Sequence, residues 1–172
     1  MTHNTSNTTL VQIVQKMQPG GIETMALDLQ AALDVSGTIV SLSNTTTQLI
    51  AAWPALRGIE DRLIGLAQQD RSHASLQWNL VRLLRKLRPR GVILHHIGPL
   101  LHGGIAARLA GVPRIVHIEH DAWHYRDNPR HRQLSQLSER LVRPRRVAVS
   151  SEVAQGVRGF LPHAEIAIVP PG

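Results

Sequence analysis

Strand-length apolar runs alternate with helical segments along nearly the whole chain, and several of those runs are apolar almost without interruption. Leu10-Val11-Gln12-Ile13-Val14 is the first, and Gly91–Ile97 is rich in Val, Ile and Leu until His95-His96. A strand that is apolar on both faces has to be covered on both faces. Strands joined through helices, rather than through tight turns, run parallel. The pattern therefore predicts an α/β fold, a three-layer sandwich with a mainly parallel sheet and helices on both faces. In such folds ligands bind outside the carboxyl ends of the strands.

The expected elements follow from periodicity and breakers. A helix over Glu23–Leu33 follows the first strand, and Gly37–Leu42 is a second, β-rich strand. Asn44–Leu56 reads as irregular or weakly helical, broken at Trp53-Pro54. Arg62–Ala67 is a short third strand, and His73–Leu87 is the clearest helix, with Leu76, Leu80, Leu83, Leu84 and Leu87 on one face. Leu100–Ala110 is a small-residue helix closed by Gly111, and its His102-Gly103-Gly104 start suits close helix–sheet packing. Pro113–Glu119 is the fifth strand and Asp121–Asn128 a polar, aromatic loop. Pro129–Val142 is a helix expected to turn Leu134, Leu137 and Leu141 inward. Arg146–Val149 is a strand, Glu152–Leu161 a helix capped at Ser150-Ser151, and Ile166–Val169 the last strand.

Composition narrows the function classes. The 172 residues suffice for one domain with a real core. Cys is absent, which excludes disulfides, thiolate metal sites and cysteine nucleophiles and fits a reducing, cytoplasmic setting. Residues 1–9 are polar, lack the apolar core of a signal peptide, and read as a disordered lead-in to a domain over 10–172. Lys and Arg number 19 against 12 Asp and Glu, and the arginines cluster in Arg82–Arg90, Arg126–Arg132 and Arg140–Arg146. Such clusters are ordinarily solvated helix faces, but they also suit phosphates or the anionic inner face of a membrane. With 3% aromatic residues, a base-stacking surface is poorly supported and no nucleic-acid partner is expected.

The polar residues collect at the predicted strand ends: Lys16–Gly21, Ser43–Thr47, His95–Gly98, Glu119–Arg126 and Ser150–Glu152. The first holds Gln18-Pro19-Gly20-Gly21, where a Gly pair ahead of a helix lets backbone approach an anion closely. Neither GxGxxG nor GxxxxGK[ST] is present. Glu23 lies in the first helical turn, either as an acid favoured by the helix dipole or as a contact to a ligand hydroxyl. The densest group is His117-Ile118-Glu119-His120-Asp121 with Trp123, Tyr125 and Arg126. Side chains alternate along a strand, so His117 and Glu119 share one face, with Ile118 and His120 on the other. The ionisable groups and aromatics suit a pocket for a polar ring such as a sugar, although His117 alone reads as a core histidine. No metal site is expected, because strand neighbours point apart and the spacing fits no helical metal motif. Of His95 and His96, one should reach the crevice and the other should pack. No G-x-S-x-G elbow surrounds Ser150 or Ser151.

Read in order, these segments resemble the N-terminal domain of retaining GT-B glycosyltransferases of the group 1, or family 4, type. Val14–Glu23 resembles their first strand and Gly-Gly loop, and Leu84–His95 their helix–Pro–strand step ending in His. Ala106–Pro113 is similar to their helix-to-strand stretch, and Ile118-Glu119-His120-Asp121 to the strand-end His segment. Val147–Ala154 resembles the strand–Ser–Glu–helix step that follows. Ile168-Val169-Pro170-Pro171-Gly172 resembles the interdomain hinge, with Pro171 where Asn is usual, and Gly37–Leu56 matches nothing in the family pattern.

The resemblance implies a Rossmann-like acceptor domain whose donor domain lies outside this chain, so that the chain alone is inactive. It implies a nucleotide-sugar donor, a sugar or lipid-linked sugar acceptor, and neither cofactor nor metal. Gly20 and Gly21 would face the donor diphosphate, and Gln18 or Glu23 the acceptor. His120 would approach the reacting sugar as the catalytic residue. His95, Asp121, Trp123, Tyr125 and Arg126 would shape the acceptor pocket. Two other readings compete: a stand-alone α/β module for phosphorylated ligands or nucleic acid, and a fragment of a GT-B nucleotide-sugar epimerase.

Overall fold

A computed structural model describes residues 10–32, 37–67 and 72–170. The proposed lead-in over residues 1–9, Leu33 and the terminal Pro171-Gly172 lie outside the described residues. Seven strands form one sheet, β1 (Leu10–Val14), β2 (Gly37–Ser41), β3 (Leu63–Gly65), β4 (Gly91–His95), β5 (Arg114–Glu119), β6 (Arg145–Ala148) and β7 (Ile166–Ile168). Every named strand pairing is parallel, in the order β3-β2-β1-β4-β5-β6-β7. The helices are α1 (Gly21–Ala32), α2 (Thr46–Ala52), α3 (His73–Leu87), α4 (Ile97–Leu109), α5 (Trp123–Asp127), α6 (Pro129–Leu141) and α7 (Ser151–Arg158), with a 3-10 segment over Pro54–Arg62. The expected Rossmann-like sandwich is present, and its strand order reverses between β1 and β4.

The period-2 alternation divides the core into two layers. Val11, Ile13, Val40, Val92, Leu94, Ile115 and Ala148 lie in a layer with Leu76, Leu80 and Leu84 of α3, Leu100 of α4, and Val142. Val14, Ile39 and Leu63 pack on the other side with Ala26 of α1, Leu49 of α2 and Leu56. The stripe predicted for α3 is the one that packs. Ser72 caps the helix at 3.2 Å from the Ser75 amide, and Arg88 ends it in the left-handed region at φ 48. Gly103 has a packing role, since a Cβ there would stand 2.8 Å from both Ile13 and Leu94. The segment expected to be irregular contains α2, held by a reciprocal capping box between Thr45 and Gln48. The predicted loop over Asp121–Asn128 contains the short helix α5.

Helix α6 departs from expectation in phase. Asn128 caps it and Pro129 opens it, but Leu137 and Leu141 face solvent while Ser135 and Ser138 are buried. The cause is Arg146, which the sequence places in a charged cluster and the fold places among the most buried side chains, 2% exposed. Arg146 pairs with His117 across the β5–β6 register, on the same sheet face as Glu119. Its guanidinium donates to Glu119, to Glu139 Oε2 at 2.8 Å and to Ser135 Oγ at 3.2 Å. Tyr125 donates to Glu119 Oε2 at 2.9 Å. A buried charge needs partners on every side, so α6 presents Ser135 and Glu139 to it rather than leucines. The face assigned to Leu137 and Leu141 by periodicity is therefore corrected.

Burial pushes the Glu119 carboxyl up, but His117, the Arg146 guanidinium and the Tyr125 hydroxyl outweigh it and hold it at about 2. The folded value lies below the ordinary carboxylate value of about 4.3. The stabilisation is thus present above that ordinary value and is lost as pH falls through about 2. Urea midpoints should decline as pH falls below ~4, and Glu119→Gln should flatten that decline. Arg146→Met should cost about 3–5 kcal/mol by stranding Glu119, measured by urea unfolding. Adding Glu119→Leu should recover part of the loss.

Candidate functional site

The carboxyl ends of the strands converge on one edge of the domain, and the switch point between β1 and β4 opens there. The exposed turn Gln18–Gly21 leaves β1 on one side of it, and His95 ends β4 on the other. Neither Gly20 nor Gly21 has positive φ. A Cβ on Gly21 would meet nothing within 4 Å, whereas one on Gly20 would stand 2.6 Å from Glu23 Oε2. What distinguishes the pair is therefore the open space over Gly21 rather than its backbone conformation. Partial burial raises the Glu23 carboxyl, and a backbone hydrogen bond opposes that.

His120 follows the end of β5 and meets His95 across the sheet. His95 Nδ1 lies 3.1 Å from His120 Nε2, and the rings stack at 5.3 Å. On its other side, His95 Nε2 lies 3.0 Å from Gln12 Oε1. His95 is completely buried, so it reaches the crevice only through His120. Desolvation, reinforced by the charges of neighbouring histidines, pushes His95 down to about 3. Desolvation also leads in bringing His120 down to about 4, against an opposing pull from Asp121. Both rings are neutral near pH 7.

His120, Asp121, Trp123 and Arg126 line a concavity of about 550 Å³, together with Arg132 and Glu152. Trp123 is 62% exposed at the rim of this concavity. Tyr125 also borders the concavity, but it is 1% exposed and its hydroxyl is spent on Glu119. It fixes α5 from beneath. Gly156 of α7 allows this closure, because a Cβ there would collide with Ala122.

The structure thus brings His120, Asp121, Trp123, Tyr125 and Arg126 around one concavity, with His95 behind His120. Gln18, Gly20, Gly21 and Glu23 are not among its lining residues; they stand at the end of β1, beyond β4. Arg132, Glu152 and Gly156 were missed as lining residues. Glu152 had a signal as a member of the strand-end stretch Ser150–Glu152, and Arg132 as the end of the Arg126–Arg132 cluster. Gln12 was missed too, although a lone amide inside an apolar strand is a readable signal. Among the described residues, no three His, Asp or Glu side chains are grouped as metal ligands.

Comparison with known proteins agrees with this architecture. A search of curated protein sequences gives no match. Among solved structures, the chain is similar to HepE (Alr3699) of Anabaena in complex with UDP, with TM-score 0.72 and 16% identity over 95% of this chain and 44% of that one. It is similar to the lipopolysaccharide outer core galactosyltransferase WaaB, with TM-score 0.67 and 15% identity over 94% of this chain and 45% of that one. It is also similar to a UDP-N-acetylglucosamine 2-epimerase, with TM-score 0.67 and 14% identity over 96% of this chain and 48% of that one. The chain spans less than half the length of each of these relatives, and at such identities the likeness shows the GT-B-type domain fold. The family model for glycosyltransferase family 4 matches residues 19–172, and the chain belongs to that family.

Proposed function

We propose that this chain is the acceptor-side half of a GT-B glycosyltransferase of hexosyl type, which transfers a sugar from a nucleotide-sugar donor with retention. The observation that carries the reading is the placement of His120. It stands neutral at the end of β5, anchored by His95 and lining the concavity with Trp123, Asp121 and Arg126. A neutral imidazole beside an exposed indole suits a polyhydroxyl ring better than a charged ligand. In this reading Asp121, Trp123 and Arg126 bind the sugar or lipid-linked sugar acceptor. His95 and Tyr125 shape the pocket from beneath. Gln18 and Glu23 meet the acceptor from the β1 side.

The donor is held chiefly by a second domain facing this cleft. Gly20 and Gly21 form the near wall, and the space over Gly21 lets the diphosphate approach the start of α1. The positive end of that helix and basic side chains neutralise the diphosphate, with no metal or cofactor required. The UDP and UDP-glucose complexes of the HepE relative support a nucleotide-sugar donor.

A second proposal rests on the opposite edge of the sheet. Arg90, Arg108, Arg114, Arg143 and Arg145 line a concavity of about 490 Å³. From Arg71 to Ile118 the chain contains no Asp or Glu. Exposed Leu109 and Leu141 lie at the ends of the helices that reach this edge. The combination suits a cytoplasmic protein whose basic end rests on an anionic membrane. Among the described residues, no helix is long and apolar enough to cross one.

Joined to its donor domain, the protein should lose on the order of 10²-fold or more of its transfer rate with His120→Ala. Wild-type turnover would remove His120 from the site. The anomeric proton of the product, read by NMR, should report retention, and inversion would overturn that part. Turnover of a free nucleotide sugar without acceptor would favour the epimerase reading. Vesicles rich in anionic phospholipid should co-sediment the chain at low salt, and Arg114→Glu with Arg145→Glu should abolish this. Salt-sensitive binding to nucleic acid instead would favour a stand-alone module.

A further inference from the structure

Gln12 is an amide set in the middle of an apolar strand, and it is fully buried. It shares a sheet face with His95, because Gln12 pairs with Ile93 and His95 lies two residues further on. Its amide nitrogen donates to the Ala26 carbonyl of α1 at 2.9 Å and approaches Gln30 Oε1 at 3.3 Å. A carbonyl oxygen can only accept, so the orientation of this amide is determined: nitrogen toward α1, oxygen toward His95. The opposite orientation would set two acceptors against each other at Ala26 and remove a hydrogen bond from a buried group.

The consequence runs along the chain of contacts. Gln12 Oε1 is an acceptor, so the His95 Nε2 facing it at 3.0 Å carries the hydrogen. A neutral imidazole holds one N–H, so His95 Nδ1 is a lone pair. The His120 Nε2 facing that lone pair at 3.1 Å must then donate. His120 Nε2 is committed to His95, and His120 Nδ1 becomes the acceptor of the ring. Ring neutrality is favoured by burial, which brings both imidazoles below their ordinary range.

We infer that Gln12 is a positioning residue which, through His95, holds His120 as the Nε2–H tautomer and so makes it an acceptor toward a ligand hydroxyl. The inference rests on the proposed placement of His120 at the reacting sugar and deepens it. His120 does not donate to the sugar or acceptor from its remaining nitrogen; it takes a hydrogen bond from a sugar hydroxyl on Nδ1. The device also explains why an amide occupies a strand position that an aliphatic residue would fill at less desolvation cost.

The test is spectroscopic and needs no turnover. The chain is labelled with ¹⁵N histidine, and two-bond ¹H–¹⁵N correlations are recorded near neutral pH. His95 and His120, assigned by His95→Asn and His120→Asn, should each show a protonated Nε2 and an unprotonated Nδ1. A His120 ring protonated on Nδ1, or a mixture of both forms in the unaltered chain, would overturn the inference. Gln12→Met keeps the volume but removes the acceptor, and it should convert His120 from one tautomer to a mixture. An unchanged single tautomer in a folded Gln12→Met chain would also overturn it. In the protein joined to its donor domain, Gln12→Met should lower kcat several-fold more than KM changes. If His120→Ala leaves transfer unaltered while the spectrum shows the expected tautomer, the functional reading fails and the tautomer assignment stands.

Discussion

The buried Arg146–Glu119 pair is the constraint around which this half of the domain is arranged. A guanidinium placed in a core layer has to be matched on every side by acceptors, and here they come from β5 and α6. This requirement fixes the rotation of α6, turning Ser135 and Glu139 toward Arg146 and leaving Leu137 and Leu141 outside. Through the Tyr125–Glu119 hydrogen bond the same network pins α5, which carries Trp123 to the edge of the concavity. A charge centre inside the fold thus sets the position of an aromatic at its surface.

A second polar line crosses the sheet on its other face, from Gln30 through Gln12 and His95 to His120. Its members lie on α1, β1 and β4 and just beyond β5, so it spans the point where strand order reverses. A parallel sheet leaves its carboxyl ends open there, because consecutive crossovers depart to opposite sides. The two networks reach the edge as neighbours, since Glu119 and His120 are adjacent and point to opposite faces. One supplies rigidity under the pocket, and the other presents a single imidazole to it.

The chain belongs to glycosyltransferase family 4. The chain corresponds to less than half of each solved relative, and in the reading favoured above the cleft is completed by a second domain. The site residues then divide naturally. In that reading the β1 turn would offer space and the start of a helix to the donor diphosphate, and the β5 end a neutral ring and an indole to the acceptor.

Much of the fold was legible in the sequence. Alternating apolar runs and helical stripes are local signals, and they placed seven strands and the α3 stripe close to where they lie. The strand-end rule, with alternation along β5, groups His120, Asp121, Trp123 and Arg126, and the fold sets them around one concavity. Resemblance to the glycosyltransferases supplied the family, which periodicity alone does not carry. The facing of α6, the burial of Arg146 and the role of Gln12 were not legible, because each depends on partners distant in sequence. His95 meets Gln12 at a separation of 83 residues, and Arg146 meets Glu119 at 27. Composition and local spacing determined the layers and the edge at which the polar strand ends collect. Only tertiary structure decided which charges are buried and which side chains the two histidines meet, because a buried polar group is defined by its partners rather than by its position in the chain.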